Sequence, residues 1–68
     1  MSIDSDVAML SSTSAQLEDL EARVTEIAER YGATPDSVVA SELYGAERAL
    51  IGARRALDRA RVLLDQMR

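Results

Sequence analysis

Residues suited to acid–base chemistry cluster in the first half of this 68-residue chain. Glu26, Glu29 and Arg30 lie within about one helical turn, and neighbouring carboxylates can act as general acid and base. The chain has no histidine and no cysteine, which excludes zinc fingers, thiol nucleophiles and Ser-His-Asp triads. The serines have no partner base, and the three glycines are too far apart to form a phosphate-binding loop. The charged cluster is therefore interpreted as a solvated surface. The sequence predicts no enzyme, no catalytic or metal-binding residue and no cofactor.

The arginines of the second half suggest a different chemistry, the binding of anions. Arg48, Arg55 and Arg59 share one side of a predicted helix and flank Tyr44 and Ile51. Three others recur every seven residues and suit ion pairs with acids of the first half: Arg54, Arg61 and Arg68. The alternative interpretation is an arginine ridge that binds nucleic acid, a nucleotide or a phosphorylated ligand. A net charge of −4 and only two aromatic residues argue against nucleic acid.

The chain has one strong break, between its two halves. Gly32 suits the left-handed position after a helix, Thr34 suits an N-cap and Pro35 suits the first helical position. The first 42 residues hold nine acids and two arginines, and the last 26 hold six arginines and three acids, as expected for halves that fold together. The sequence predicts one all-α domain, 1–68, an antiparallel two-helix hairpin with helices at about 4–31 and 35–67 and a turn at 32–34.

The first predicted helix has a heptad pattern typical of a coiled coil. Its a positions are Leu10, Leu17, Val24 and Tyr31, and its d positions are Thr13, Leu20 and Ile27. Two starts are possible. Thr13 and Gln16 form a capping-box pattern, whereas Asp4 and Asp6 suit a first helical turn. The longer helix is favoured because it covers more of its partner.

The second predicted helix alternates leucine with alanine. Its a positions are Leu43, Leu50, Leu57 and Leu64; its d positions are Val39, Ala46, Ala53, Ala60 and Met67; its g positions are Ala49, Ala56 and Leu63. Gly45 and Gly52 lie beside these alanines. Each glycine costs roughly 0.5–1 kcal/mol in a helix, so the pair indicates either a closely packed backbone or neutral drift.

The apolar surface of the second helix is wider than one hairpin needs. Because neither disulfide nor metal is available, association is the expected source of stability. The sequence predicts a non-enzymatic protein–protein interaction module that forms a homodimeric four-helix bundle; a complex with a different protein is the alternative, and the docking orientation stays open. A second stripe, Tyr44, Ile51 and Val62, is predicted to bind a protein partner together with Arg48, Arg55 and Arg59.

The sequence also predicts where the protein acts. No apolar run approaches the roughly 18–20 residues of a membrane span, and Asp4 and Asp6 stand where a signal peptide needs basic residues. A cytoplasmic protein with no membrane contact is expected. Arginine without lysine points to a GC-rich bacterial genome.

Overall fold

Two helices pack as an antiparallel hairpin in the computed structural model, which describes residues 2–68. Helix α1 spans Ile3–Tyr31 and helix α2 spans Ser37–Gln66, within a rod 52 Å long. No strand is present in residues 2–68. The predicted all-α hairpin is therefore confirmed. Met1, the first residue of the predicted domain 1–68, lies outside the described residues.

Helix α1 is continuous and starts near the earlier of the two expected positions. The Ser2 side chain accepts a hydrogen bond from the Ser5 backbone N–H at 3.4 Å, and two acids follow in the first turn. Thr13 does not cap a helix; its hydroxyl donates to the Met9 carbonyl at 2.8 Å. The hydroxyl is thus satisfied within the helix, which passes through the serine-rich segment unbroken.

The turn differs in detail from the predicted one. Gly32 is right-handed, with φ −60° and ψ −31°, and not left-handed as expected. Thr34 bridges the turn: its hydroxyl donates to the Tyr31 carbonyl at 2.8 Å and accepts from the Asp36 N–H at 3.1 Å. Helix α2 consequently starts at Ser37, with Asp36 as its N-cap residue, two residues later than predicted.

The two helices meet along a different pair of heptad positions from those expected. The predicted a positions Leu17 and Leu50 do turn towards the partner helix and are half-buried. Most of the predicted d positions do not: Leu20 is 42% exposed, Ile27 is 40% exposed and Ala53 is also exposed, whereas Thr13 and Ala60 are half-buried. The expected pairing of leucine with alanine inside the hairpin is therefore wrong.

The second row of the contact lies four residues after each a position. In α1 this row contains three buried residues, Ser14, Glu21 and Ala28; in α2 it contains Glu47, Arg54 and Arg61. Small and charged residues thus fill half of the contact between the helices. Within residues 2–68, the only buried apolar residues are Ala28 and Ala40, and no large side chain is fully buried.

Polar contacts join the helices along one side of the hairpin, and we call them the polar ladder. From the turn outward, the ladder pairs Thr25 with Glu47, Glu21 with Arg54, Ser14 with Asp58, Ser11 with Arg61, and Asp4 with Arg68. Each pair joins residues at the same height of an antiparallel arrangement, so the ladder fixes the register of the two helices.

Candidate interaction surfaces

The side of the hairpin opposite the polar ladder is apolar. A helix turns about 100° per residue, so Leu20 lies about 60° to one side of Leu17, and Glu21 about 40° to the other. In α2, Ala53 and Arg54 lie on opposite sides of Leu57 in the same way. Because Glu21 bonds Arg54, these two residues mark one side of the hairpin and Leu20 and Ala53 share the other. We call this second side the apolar face.

Large apolar side chains on this face are open to solvent in the single chain. Besides Leu20 and Ile27, Leu63 is 61% exposed and Met67 is 69% exposed. The central part of α2 adds exposed alanines: Ala46, Ala49, Ala53 and Ala56. The face thus combines bulky residues from α1 with a flat alanine surface on α2, and it runs along most of the hairpin.

The two internal glycines of α2 are not packed against another backbone of the hairpin. A Cβ atom at Gly52 would meet nothing within 4 Å, and one at Gly45 would meet only the Arg48 guanidinium, at 3.7 Å. The close approach considered from their spacing is therefore absent in the single chain. Both positions have room for alanine.

The three arginines predicted to bind a partner lie on the back of α2. We call the contact between the two helices the seam. Arg48 and Arg55 each come two residues before a leucine of the seam, and Arg59 comes two residues after one. All three therefore point about 160° away from the leucine row of α2. Tyr44 and Ile51 each follow a seam leucine directly and are half-buried beside the ladder. Val62 is 49% exposed. We call these six residues the arginine sector.

The arginines of α2 and the C-terminus divide into two sets according to their partners. Arg54 holds Glu21 with two hydrogen bonds, of 2.7 Å from Nε and 3.2 Å from Nη2, and its Nη1 lies 3.7 Å from Glu18. The hydrogen bond to Glu21 raises the pKa of Arg54, although partial burial opposes the shift. The bond to Asp4 likewise raises the pKa of Arg68, which also lies 2.6 Å from Asp65.

These pairs are those expected for the arginines spaced seven residues apart, with one difference. Arg61 forms no ion pair with an acid of α1 in residues 2–68: it donates to Ser11 at 3.2 Å and lies 3.8 Å from Asp58 of its own helix. In contrast, no carboxylate of residues 2–68 forms an ion pair with any of the three arginines of the arginine sector.

Two shallow surface grooves lie at the ends of the arginine sector. The groove near the turn, about 400 Å³, is lined by Tyr44, Arg48 and small residues of the first turns of α2. The other groove, about 410 Å³, is lined by Asp58, Arg59, Val62 and Leu63. Their linings combine cationic and apolar groups and contain no acid–base pair.

The carboxylate cluster of α1 is exposed, and one of its members is ion-paired. Glu26 pairs with Arg30 at 3.2 Å, and both side chains are more than 60% exposed, at 68% and 63%. No group of three or more acidic side chains that could hold a metal ion occurs in residues 2–68. Neither helix there is apolar enough over its length to cross a membrane.

The chain matches no protein-family model, no curated protein and no solved structure. Its function must therefore be inferred from the two surfaces themselves, the apolar face and the arginine sector.

The sequence analysis did not predict the second row of the seam, which contains the polar residues. Its signal is present: Val7, Ser14, Glu21 and Ala28 recur every seven residues, four after Ile3, Leu10, Leu17 and Val24. Hydrophobicity alone favours the Leu20 and Ile27 row, because these side chains are larger and apolar.

Proposed function

We propose that this protein is a non-enzymatic helical-hairpin interaction module that forms a homodimer by burying its apolar face against a second copy. Two hairpins joined in this way make a four-helix bundle, the simplest assembly with two-fold symmetry. The observation that carries the proposal is the apolar face, exposed along the hairpin opposite the polar ladder.

The weakness of the core supports the need for a second copy. A single helix–helix contact in which one of the two rows consists of small and charged residues buries little apolar surface. The buried apolar residues of positions 2–68 are two alanines. A chain of this size without disulfides needs a further source of stability, and association supplies it.

The shape and composition of the face also favour a second copy. It includes bulky residues of α1, Leu20 and Ile27, beside small ones of α2, Ala46 and Ala53. A two-fold related copy offers the same combination, so the bulky row of one α1 fits against the alanine row of the other α2. Helix α1 is acidic and α2 is nearly neutral, which further favours α1 beside α2 of the other copy.

The alternative function, anion binding by an arginine ridge, has less support. Two of the six arginines of the second half already bond to acids of α1, Arg54 and Arg68, and a third, Arg61, bonds to Ser11. The net charge of −4 would also repel a polyanion as long as nucleic acid. The cytoplasmic location and the bacterial source stay part of the proposal, supported only by the composition of the chain.

Replacing one alanine of the face by a charged residue tests the proposal. Ala53→Glu places a carboxylate in the proposed interface, whereas Ala15→Glu makes the same change at an exposed position of α1 away from the face. In sedimentation velocity, we expect the parent and Ala15→Glu to be dimers and Ala53→Glu to be a monomer with reduced helicity. An Ala53→Glu protein with the mass and melting curve of the parent contradicts the proposal.

A further inference from the structure

The arginine sector lies on the outside of the proposed bundle. In that bundle α2 contacts its own α1 through the leucine row and the second copy through the alanine row. Viewed along the axis of α2, Arg55 points about 180° away from the midpoint between the leucine row and the alanine row. Dimer formation therefore leaves Arg48, Arg55 and Arg59 in solvent, available to another molecule.

The sector carries positive charge that no ion pair within residues 2–68 neutralises. Helix α2 has four carboxylates, and three of them are engaged along the ladder side: Glu47 with Thr25, Asp58 with Ser14 and Arg61, and Asp65 with Arg68. The fourth, Glu42, lies on the opposite side of α2 from the ladder. The three arginines on the back of the helix thus have no ion-pair partner within residues 2–68, and Asp58, beside Arg59, is held by Ser14 and Arg61.

The apolar residues of the arginine sector require that its ligand also contain apolar groups. Ile51 is half-buried and Val62 is 49% exposed, each within about one turn of Arg55 or Arg59. The groove at Arg59 is lined by Val62 and Asp58, with Leu63 at its border with the apolar face, and it has room for an apolar side chain. A ligand that fits must therefore combine carboxylates with apolar groups.

A second copy does not meet this requirement. The outer side of α1 is acidic, with Asp19, Glu26 and Glu29, but the exposed large apolar residues of α1 lie elsewhere on the helix. The positive charge and the apolar residues of the arginine sector together fit a partner protein that differs from this chain. Nucleic acid would supply charge without apolar side chains to cover Ile51 and Val62.

We propose that the arginine sector binds an acidic amphipathic helix of a partner protein, whose carboxylates pair with Arg48, Arg55 and Arg59 while its apolar residues cover Ile51 and Val62. Arg48 and Arg55 are about 10 Å apart along the axis, and Arg55 and Arg59 about 6 Å. Carboxylates seven and four residues apart on one face of a helix match this spacing. The proposal deepens the interaction function proposed above by naming the class of partner.

Designed peptides provide the probe. One peptide is a helix with glutamate at the matching positions and leucine beside them; a second has glutamine in place of each glutamate. Binding is measured by fluorescence anisotropy at low ionic strength with the full chain. We expect the glutamate peptide to bind saturably, to bind more weakly as salt is added, and to bind at least tenfold more tightly than the glutamine peptide.

Matched arginine variants locate the site. Arg55→Gln/Arg59→Gln and Arg23→Gln/Arg30→Gln each remove two positive charges, but only the first pair lies in the sector. We expect the first to weaken peptide binding about tenfold and the second to weaken it less than twofold. Equal losses in the two variants, no saturable binding by the parent, or tighter binding of a short single-stranded oligonucleotide overturns the proposal.

Measuring the mass of each sample separates this proposal from the homodimer. A parent protein that is monomeric but binds the peptide through Arg55 and Arg59 removes the proposed dimer and keeps the partner site. A dimer that binds neither peptide keeps the bundle and removes the partner site.

Discussion

Truncating the two bulky residues of the apolar face on α1 should weaken the dimer by a calculable amount. Leu20 and Ile27 are 42% and 40% exposed in the single chain. Full burial of such a side chain is worth about 1.5–3 kcal/mol, so covering the exposed two-fifths is worth about 0.6–1.2 kcal/mol. The two copies contribute four such side chains, about 2.4–4.8 kcal/mol in all, of which about 3 kcal/mol is lost on truncation because alanine still buries its Cβ. In Leu20→Ala/Ile27→Ala, the dimer dissociation constant should therefore rise about a hundredfold.

Sedimentation equilibrium over a series of concentrations measures this dissociation constant. Val62→Ala is the control, because Val62 is 49% exposed but lies on the back of α2. We expect the control to keep the dissociation constant of the parent. If the double variant dissociates at the same concentration as the parent, the two side chains are not in the interface. The assignment of the apolar face to the dimer is then wrong.

Two further substitutions test the packing of the hairpin. Gly52→Ala should raise the free energy of unfolding by about 0.5–1 kcal/mol, measured by urea unfolding, because the added Cβ meets nothing within 4 Å and the unfolded chain loses freedom. A loss of stability would instead show that a backbone of another chain packs at Gly52. Glu21→Ala should lower the melting temperature, because it leaves Arg54 without its two shortest hydrogen bonds. The exposed Glu29→Ala should stay within about 0.5 kcal/mol of the parent, and equal effects of the two changes would show that the buried pair adds nothing.

The hairpin could be predicted from the sequence because its signals are local. Gly32, Thr34 and Pro35 mark the turn whichever detailed geometry they adopt, and the leucines of α2 repeat every seven residues over 21 residues. Helix α1 ends at Tyr31 as predicted, but α2 begins two residues later than predicted because Thr34 bridges the turn with its hydroxyl and does not cap α2. Whether the Thr34 hydroxyl bridges the turn or caps α2 depends on the relative strengths of alternative hydrogen bonds. A pattern of residue types does not give these strengths.

The residues of the seam could not be predicted from hydrophobicity, because an apolar residue can be buried either inside the hairpin or in a contact with another chain. Leu20 and Ala53 suit a buried position, and an isolated hairpin would be expected to use them. In the structure Glu21 and Arg54 pair within the contact between the helices, and Leu20 and Ala53 are exposed. The apolar rows are therefore exposed in the single chain, and the contact proposed to cover them depends on a second chain and not on the sequence pattern of one.

The arginines show the same division between what a sequence can and cannot indicate. Their heptad spacing placed Arg54 and Arg68 beside acids of α1, as observed. Their spacing also placed Arg48, Arg55 and Arg59 on one side of α2, but only the structure shows which carboxylates are already engaged. The absence of ion pairs for these three in residues 2–68 distinguishes the proposed partner site from the ladder.

The mass of the parent protein in dilute solution tests the central claim most directly. Sedimentation or light scattering at micromolar concentration should give a particle of about 15 kDa, twice the 7.4 kDa of one chain. A particle of 7.4 kDa that is fully helical and melts cooperatively would show that one hairpin is stable with its apolar face in water, and would contradict the account.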